Sequence, residues 1–329
     1  MTIQLTEPDL AERAITGAHA PPPVIEVAHL RKTYGPVTAV EDVSFTVAPG
    51  EIFGILGRNG AGKTTTVECV TGLRAADRGS ISVLGCDPRH DGRELHERVG
   101  VQLQHGALPE RIKVHEAVQL YASFYREPAD GDELLDTLGL ASARDQTFKK
   151  LSGGQKQRLS IVLALIGSPE IAILDELTTG LDPEARRETW RLIERIRDRG
   201  VTIVLVTHLM EEAERLCDRV ALIDQGRVIA LDRPAALATA AAGTRVRLRA
   251  PAPVAEERLR AVPGVSAVER HGPELVVTGT GNLVADVVLA LDRAGLRAED
   301  VRPETARLED AFLALTHEAA HPTDPEASR

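Results

Sequence analysis

The chain has 329 residues, more than one ordinary domain needs, so its length predicts one large and one small folded unit. The formal net charge is −10 and the basic residues are scattered among acids, which argues against nucleic acid as a partner. Three distant cysteines indicate neither a disulfide framework nor a zinc site, and no apolar run approaches the roughly 20 residues that cross a bilayer.

The first long segment alternates strands with helices. Residues 1–23 are polar and rich in Ala and Pro, and we expect a disordered tail there. From Val24 to about Asp232, short β-branched runs alternate with longer helical patterns, which predicts an α/β domain with a mainly parallel sheet. The clearest predicted strands are 43–47, 52–56, 171–174, 202–206 and 220–223. We place this domain at 24–235.

The pattern changes after Asp232 to the order βαββαβ, which resembles a ferredoxin-like α+β unit. Its predicted elements are a strand at 244–249, a helix at 254–261, strands at 265–270 and 274–278, a helix at 282–294, a strand at 296–302 and a helix at 307–316. We place a C-terminal accessory domain at 236–317 and a second disordered tail at 318–329.

A glycine-rich segment follows the predicted strand 52–56 and opens a helix. It reads Gly57-Arg58-Asn59-Gly60-Ala61-Gly62-Lys63-Thr64-Thr65. In this context it matches the P-loop pattern, because glycines let backbone N–H groups and a helix N-terminus converge on phosphates. Lys63 would supply a full charge at the β/γ phosphates of ATP, and Thr64 a hydroxyl ligand for Mg²⁺. The alternative is a glycine-rich structural turn.

Two carboxylates end the apolar run 171–174, which is typical of a buried parallel strand. Asp175 would hold Mg²⁺ through water. Glu176 would orient and polarise the attacking water, because phosphoryl transfer leaves the protein mainly positioning and charge stabilisation to supply. The alternative for Glu176 is an acid that merely starts a helix.

A third motif, Leu151-Ser152-Gly153-Gly154-Gln155-Lys156-Gln157-Arg158-Leu159, lies between the other two. A serine N-cap followed by two glycines makes a second anion-binding helix end. The motif matches the signature sequence of ATP-binding-cassette (ABC) ATPases, and the chain resembles that family over about residues 24–232. The resemblance implies an ABC ATPase core with an antiparallel β part and a helical subdomain. It also implies a homodimer in which residues 152–155 contact the ATP of the facing copy.

Four further family landmarks occur in the expected order: Tyr34 for adenine stacking, Gln104 for Mg²⁺ and catalysis, Asp182 in the D-loop Thr179-Gly-Leu-Asp182, and His208 for the γ-phosphate and Glu176. Phe53 is an alternative to Tyr34, which could instead be a packed loop residue. Gln104 is preferred to Gln102 because it ends the strand, although a capping amide remains open. Leu177 stands where the family usually has proline, and we expect it to alter the hydrolysis rate without removing a catalytic group.

The resemblance also implies separate transmembrane permease subunits and a place at the cytoplasmic face of the membrane. The segment from Gln104 to about Arg126 is the predicted docking region, although its apolar residues also suit a subdomain core. The C-terminal unit, through its closing segment 308–316, resembles more weakly that of bacterial drug-exporter (daunorubicin-resistance type, ABC-2) ATPases. This favours export of a drug-like or lipophilic compound. A soluble ABC ATPase and a non-transport nucleotide switch are the alternatives.

Overall fold

The computed structural model of the chain describes residues 21–102, 108–249, 256–296, 298–304 and 307–320. Its first nine strands are β1 (Ile25–Tyr34), β2 (Val37–Val47), β3 (Ile52–Leu56), β4 (Arg78–Val83), β5 (Val99–Gln102), β6 (Ile171–Asp175), β7 (Thr202–Thr207), β8 (Arg219–Asp224) and β9 (Arg227–Asp232). They join into one sheet of order β4-β1-β2-β9-β8-β3-β7-β6-β5. Strands β3, β5, β6, β7 and β8 pair in parallel, whereas β1 pairs antiparallel with β2 and β4. The predicted mainly parallel sheet with an antiparallel part is confirmed.

The helices that follow these strands are α1 (Lys63–Val70), α2 (Gly92–Arg98), α3 (Val114–Ala122), α4 (Gly131–Thr137), α5 (Gly153–Leu165), α6 (Pro183–Asp198) and α7 (Met210–Leu216). Strands β3, β6 and β7 are buried at every residue, which explains their continuous apolar runs. Their alternate residues enter two separate core clusters, so the sheet is covered on both faces.

The C-terminal part begins with α8 (Pro234–Ala242) and continues as β10 (Thr244–Arg249), α9 (Glu256–Arg260), β11 (Val265–His271), β12 (Glu274–Gly279), α10 (Leu283–Arg293), β13 (Glu299–Glu304) and α11 (Leu308–Ala320). Its four strands form a separate antiparallel sheet of order β11-β12-β10-β13. This is the ferredoxin-like arrangement that the βαββαβ order predicts. A third core cluster, which includes Val246, Leu259 and Val287, fills the space between this sheet and its helices.

The last helix packs on the large domain rather than on the small sheet. Leu308 and Phe312 belong to the largest core cluster, together with Leu237 of α8. The backbone N–H of Leu308 donates to the carboxylate of Glu214 on α7. The expected boundary between residues 235 and 236 therefore cuts through α8. The described elements from β10 to β13 share a core cluster of their own and are called the small unit below, and α11 includes residues 318–320 of the tail expected at 318–329. The limits of the domains stay a prediction.

Across the described ranges, every helix is too short or too polar to cross a bilayer.

Candidate nucleotide site

The P-loop connects the end of β3 to the start of α1, and two of its glycines are required by close backbone approach. A Cβ atom at Gly57 would lie 2.2 Å from the carbonyl oxygen of Ile223, and one at Gly62 would lie 2.4 Å from that of Ala39. Gly62 also has a φ of 103°, in the left-handed region that favours glycine. Any side chain at either position would push the loop away from its place over the sheet.

Lys63 is the buried cation of this loop, with 5% of its surface exposed. Its Nζ donates to the carbonyl oxygens of Gly57 at 2.9 Å and of Arg58 at 3.1 Å. Burial lowers the pKa of Lys63 below its ordinary value, although the carboxylates of Glu176 and Asp175 act in the opposite direction. The loop thus holds an ammonium group that an anion would stabilise.

Asp175 is the last residue of β6 and is fully buried. Neither of its carboxylate oxygens meets hydrogen-bond geometry with a donor among the described residues. Burial, and then the charge of Glu176, raise the pKa of Asp175 to about 6, while Lys63 and the Thr64 hydroxyl lower it. A buried carboxylate beside a hydroxyl suits a hard divalent cation, which prefers oxygen ligands. Gln104, the third predicted metal ligand, lies outside the described residues.

Glu176 follows Asp175 directly and contacts His208, which lies just beyond β7. The Nδ1 atom of His208 is 3.2 Å from the Oε1 atom of Glu176. Glu176 has a φ of 49°, which is uncommon for a residue other than glycine, and its N–H donates to the carbonyl of Val206 at 2.8 Å. The strand ends therefore bring the predicted catalytic acid and the predicted γ-phosphate contact together.

Leu177 is fully buried in the largest core cluster. Hydrophobic packing therefore fixes this position of the loop, where the resembled family usually has a proline ring. Its effect on the hydrolysis rate stays a prediction.

Tyr34 ends β1 and keeps 39% of its surface exposed. The Arg74 guanidinium lies 5.3 Å from the ring centroid and the Lys32 ammonium 5.7 Å from it. Phe53, the alternative adenine platform, is fully buried and stacked on Phe45 at 5.2 Å, so it offers no free face. Tyr34 is therefore the better candidate of the two.

Ser152 is the N-cap of α5, as its sequence context predicts. Its hydroxyl accepts from the Gln155 N–H at 3.2 Å, and its own N–H donates to the Gln155 side chain at 2.9 Å. A Cβ atom at Gly154 would be 3.6 Å from that of Ala185, in the first turn of α6. Asp182, the predicted N-cap of α6, accepts from two N–H groups of that turn. The signature helix therefore starts beside the D-loop.

No motif in the sequence predicts that α11 lies against the P-loop. The Arg58 guanidinium is 5.8 Å from the centroid of the Phe312 ring. A cleft of about 330 Å³ lies beside this contact and is lined by Gly57, Arg58, Asn59, His208, Met210, Glu309, Phe312 and Leu313. The available signal was an aromatic residue on a terminal helix of a chain with only 3% aromatic residues.

The family model described as ABC transporter matches residues 40–179, which include the P-loop, the signature and the two acids. The Nod factor export ATP-binding protein I of Paraburkholderia xenovorans (strain LB400) is 40% identical over 304 residues, covering 90% of this chain and 98% of that protein. The daunorubicin resistance ATP-binding protein DrrA3 of Streptomyces coeruleorubidus is 36% identical over 301 residues, covering 89% and 95%.

Solved structures match the large domain. One, described as the ATP-binding subunit of an ABC transporter, is 30% identical with a TM-score of 0.60, over 65% of this chain and 91% of that one. Another, a dimeric ATP-binding cassette in a post-hydrolysis state with ADP and phosphate, is 25% identical with a TM-score of 0.58, over 64% and 98%. Sequence motifs, fold and relatives agree: the chain belongs to the family of ABC transporter ATP-binding subunits.

Proposed function

We propose that two copies of this chain close on two ATP molecules and hydrolyse them to drive a transporter whose membrane-spanning subunits are separate polypeptides. The observation that carries this proposal is the Glu176 to His208 contact of 3.2 Å beside buried Asp175. An acid held by a histidine next to a cation-binding carboxylate suits phosphoryl transfer to water.

Within one copy, different residues bind the nucleotide and activate the attacking water. Lys63 and the loop 57–65 bind the phosphates, and Tyr34 stacks on adenine. Glu176 orients the attacking water and accepts its proton, while His208 holds Glu176 and contacts the γ-phosphate. Thr64, Asp175 and Gln104 would hold Mg²⁺, which would neutralise charge on the phosphate oxygens.

The facing copy completes the site. Ser152, Gly153, Gly154 and Gln155 form a capped helix end that contacts the γ-phosphate of the ATP bound by the other copy. ADP lacks that phosphate, so closure depends on the nucleotide state and the dimer reopens after phosphate release. The dimer of a related cassette with ADP and phosphate supports this arrangement.

The membrane partner docks on the segment around α3 at the cytoplasmic face. Val114 and Val118 are buried in the core, whereas Leu120 and Phe124 are 46% and 64% exposed. The segment therefore serves both as subdomain core and as an apolar surface. One relative is named for Nod factor export and another for daunorubicin resistance, which supports export of a drug-like or lipophilic compound.

Glu176→Gln tests the catalytic assignment. We expect ATP binding to persist and turnover to fall by about two orders of magnitude, because the amide cannot accept the proton. ATPase rates and size exclusion in ATP and Mg²⁺ are the measurements, with and without co-expressed membrane subunits. Glu184→Gln, an exposed acid in the first turn of α6, is the matched control and should leave turnover unchanged. Normal turnover in Glu176→Gln would remove Glu176 from its role, and a wild type without turnover would favour a nucleotide switch.

A further inference from the structure

A buried carboxylate outside the nucleotide site joins three segments of the large domain. Glu212, on α7, has no exposed surface. Its Oε1 atom accepts from the Thr178 hydroxyl at 2.7 Å and from the Trp190 indole N–H at 3.0 Å. Both donors are buried too, so water does not compete for these bonds.

Each partner belongs to a segment that also carries a site residue. Thr178 lies two residues after Glu176. Trp190 lies on α6, whose N-cap is Asp182. Glu212 itself lies four residues after His208, on the helix that His208 precedes. One carboxylate oxygen therefore connects the loop of the catalytic acid, the D-loop helix and the helix that follows the predicted γ-phosphate contact.

The loop that begins at Glu176 needs such an attachment. A residue other than glycine with a φ of 49° is held in a sparsely populated conformation and persists only where its surroundings fix it. On one side, the Glu176 N–H is held by Val206 on β7. On the other side, Leu177 is buried and the Thr178 hydroxyl is bonded to Glu212.

Burial of the Glu212 carboxylate costs free energy, which is unexpected for a side chain that serves packing alone. Its Oε2 atom has no donor among the described residues, and an incompletely satisfied buried carboxylate destabilises a fold. Apolar residues of similar volume at positions 212, 178 and 190 together would fill the same space without that cost. The carboxylate is explained if its two bonds fix the geometry of the neighbouring loop.

We propose that Glu212 is a positioning residue for the catalytic acid, acting through the Thr178 hydroxyl. It fixes the loop of Glu176 against the helix after His208, so that these two side chains keep their contact while the dimer opens and closes. This inference rests on the proposed function, because it assigns a role in the same hydrolysis step.

The test uses Thr178, since replacing Glu212 itself could prevent folding. Thr178→Val removes the hydroxyl and keeps the shape of the side chain. We expect kcat to fall about tenfold while the KM for ATP changes less than about twofold, because binding is intact and the acid is misplaced. Thr178→Ser restores the hydroxyl, and its kcat should return to within about twofold of the wild type. A loss of kcat in Thr178→Ser as large as in Thr178→Val would overturn the proposal.

A double-mutant cycle separates positioning from general damage. In a Glu176→Gln background, single-turnover hydrolysis should fall less than about twofold when Thr178→Val is added, because the group that Thr178 positions is already missing. A further tenfold loss in that background would show that Thr178 acts independently of Glu176, against the proposal.

Trp190→Phe is the matched control within the cluster. It removes the other donor to the same oxygen and leaves the Thr178 bond in place, so kcat should stay within about twofold of the wild type. If the loss of kcat in Trp190→Phe and Thr178→Val follows the loss of unfolding temperature in the same variants, the cluster is merely structural and the proposal fails. Absence of ATPase activity in the wild type would instead contradict the proposed function.

Discussion

Two buried charged residues of the candidate nucleotide site, Lys63 and Asp175, have pKa values shifted in opposite directions by the same cause. Burial lowers the pKa of Lys63 and raises the pKa of Asp175, so each group is held where its charged form is disfavoured. A nucleotide phosphate would stabilise the ammonium, and a divalent cation would stabilise the carboxylate. Binding of a nucleotide and a divalent cation would therefore relieve unfavourable electrostatic free energy at this site.

Asp175→Asn should stabilise the chain in the absence of nucleotide and abolish turnover. The folded-state pKa of Asp175 is about 6, above its ordinary value of 3.8, so the folded state binds more protons between these pH values. Its contribution to stability therefore falls as pH rises through this window, and the penalty is complete above it. Thermal unfolding at pH 7.5 should show a rise in Tm on the order of a few degrees. The gain should shrink towards pH 4.

Asp182→Asn is the control for that experiment. Backbone N–H groups of α6 lower the pKa of Asp182, so its ionised form is favoured in the folded state. Asparagine can still cap the helix but cannot carry the charge, and Tm at pH 7.5 should not rise. If both variants gain stability alike, removal of net negative charge explains the effect and burial of Asp175 does not.

At the scale of elements, the least expected feature is that the last helix, α11, packs on the large domain. It carries Phe312 into the core of the large domain and against Arg58 of the P-loop. Its neighbours in sequence, β13 and α10, belong instead to the small unit. We therefore propose that the large domain consists of residues 24–242 together with α11, and that the small unit is an insertion between them.

Phe312→Ala tests this division through the single tryptophan of the chain, Trp190, which is buried in the large domain. Removing a buried phenylalanine should lower the unfolding free energy of that domain by about 3–5 kcal/mol. Urea denaturation followed by Trp190 fluorescence should show an earlier transition. Leu291→Ala, in the core of the small unit, is the matched control and should leave that transition in place. Equal shifts in both variants would mean that the two parts unfold as one.

Local patterns were sufficient for most of the site. The P-loop, Asp175 at the end of β6 with Glu176 directly after it, and the N-caps Ser152 and Asp182 each depend on residues close together in the chain. Each lies where its motif predicts. The packing of α11 was not predictable, because Leu308 meets Glu214 across 94 positions. One pattern in the sequence could have indicated that Glu212 is buried: this charged residue lies on the same helical face as the apolar Leu216.

At the scale of the whole molecule, the ATPase must transmit its motion to a membrane partner. Changing Leu120 and Phe124 together to Ser should leave the ATPase activity of the isolated chain unchanged, because both side chains are exposed and neither belongs to a nucleotide-binding motif. Co-purification with the membrane subunits should fall about tenfold, as expected when two apolar contacts are lost from an interface.

Leu289→Ser, an equally exposed apolar residue on α10 of the small unit, is the control for that prediction. It should leave co-purification unchanged if the partner docks near α3. A larger loss for Leu289→Ser than for the double variant would place the docking surface on the small unit instead.

The small unit leaves the large domain at Gly243 and returns to it at Arg307, where the N–H of Arg307 is bonded to Asp310 of α11. Its two ends are anchored close together, since Arg245 forms an ion pair of 3.3 Å with Asp310. A domain joined to its neighbour by two connections that lie close together has less orientational freedom than a domain on one flexible linker. The two close attachments therefore restrict the orientation of the small unit, and the second of them leads directly into α11, which contacts the P-loop through Phe312 and Arg58.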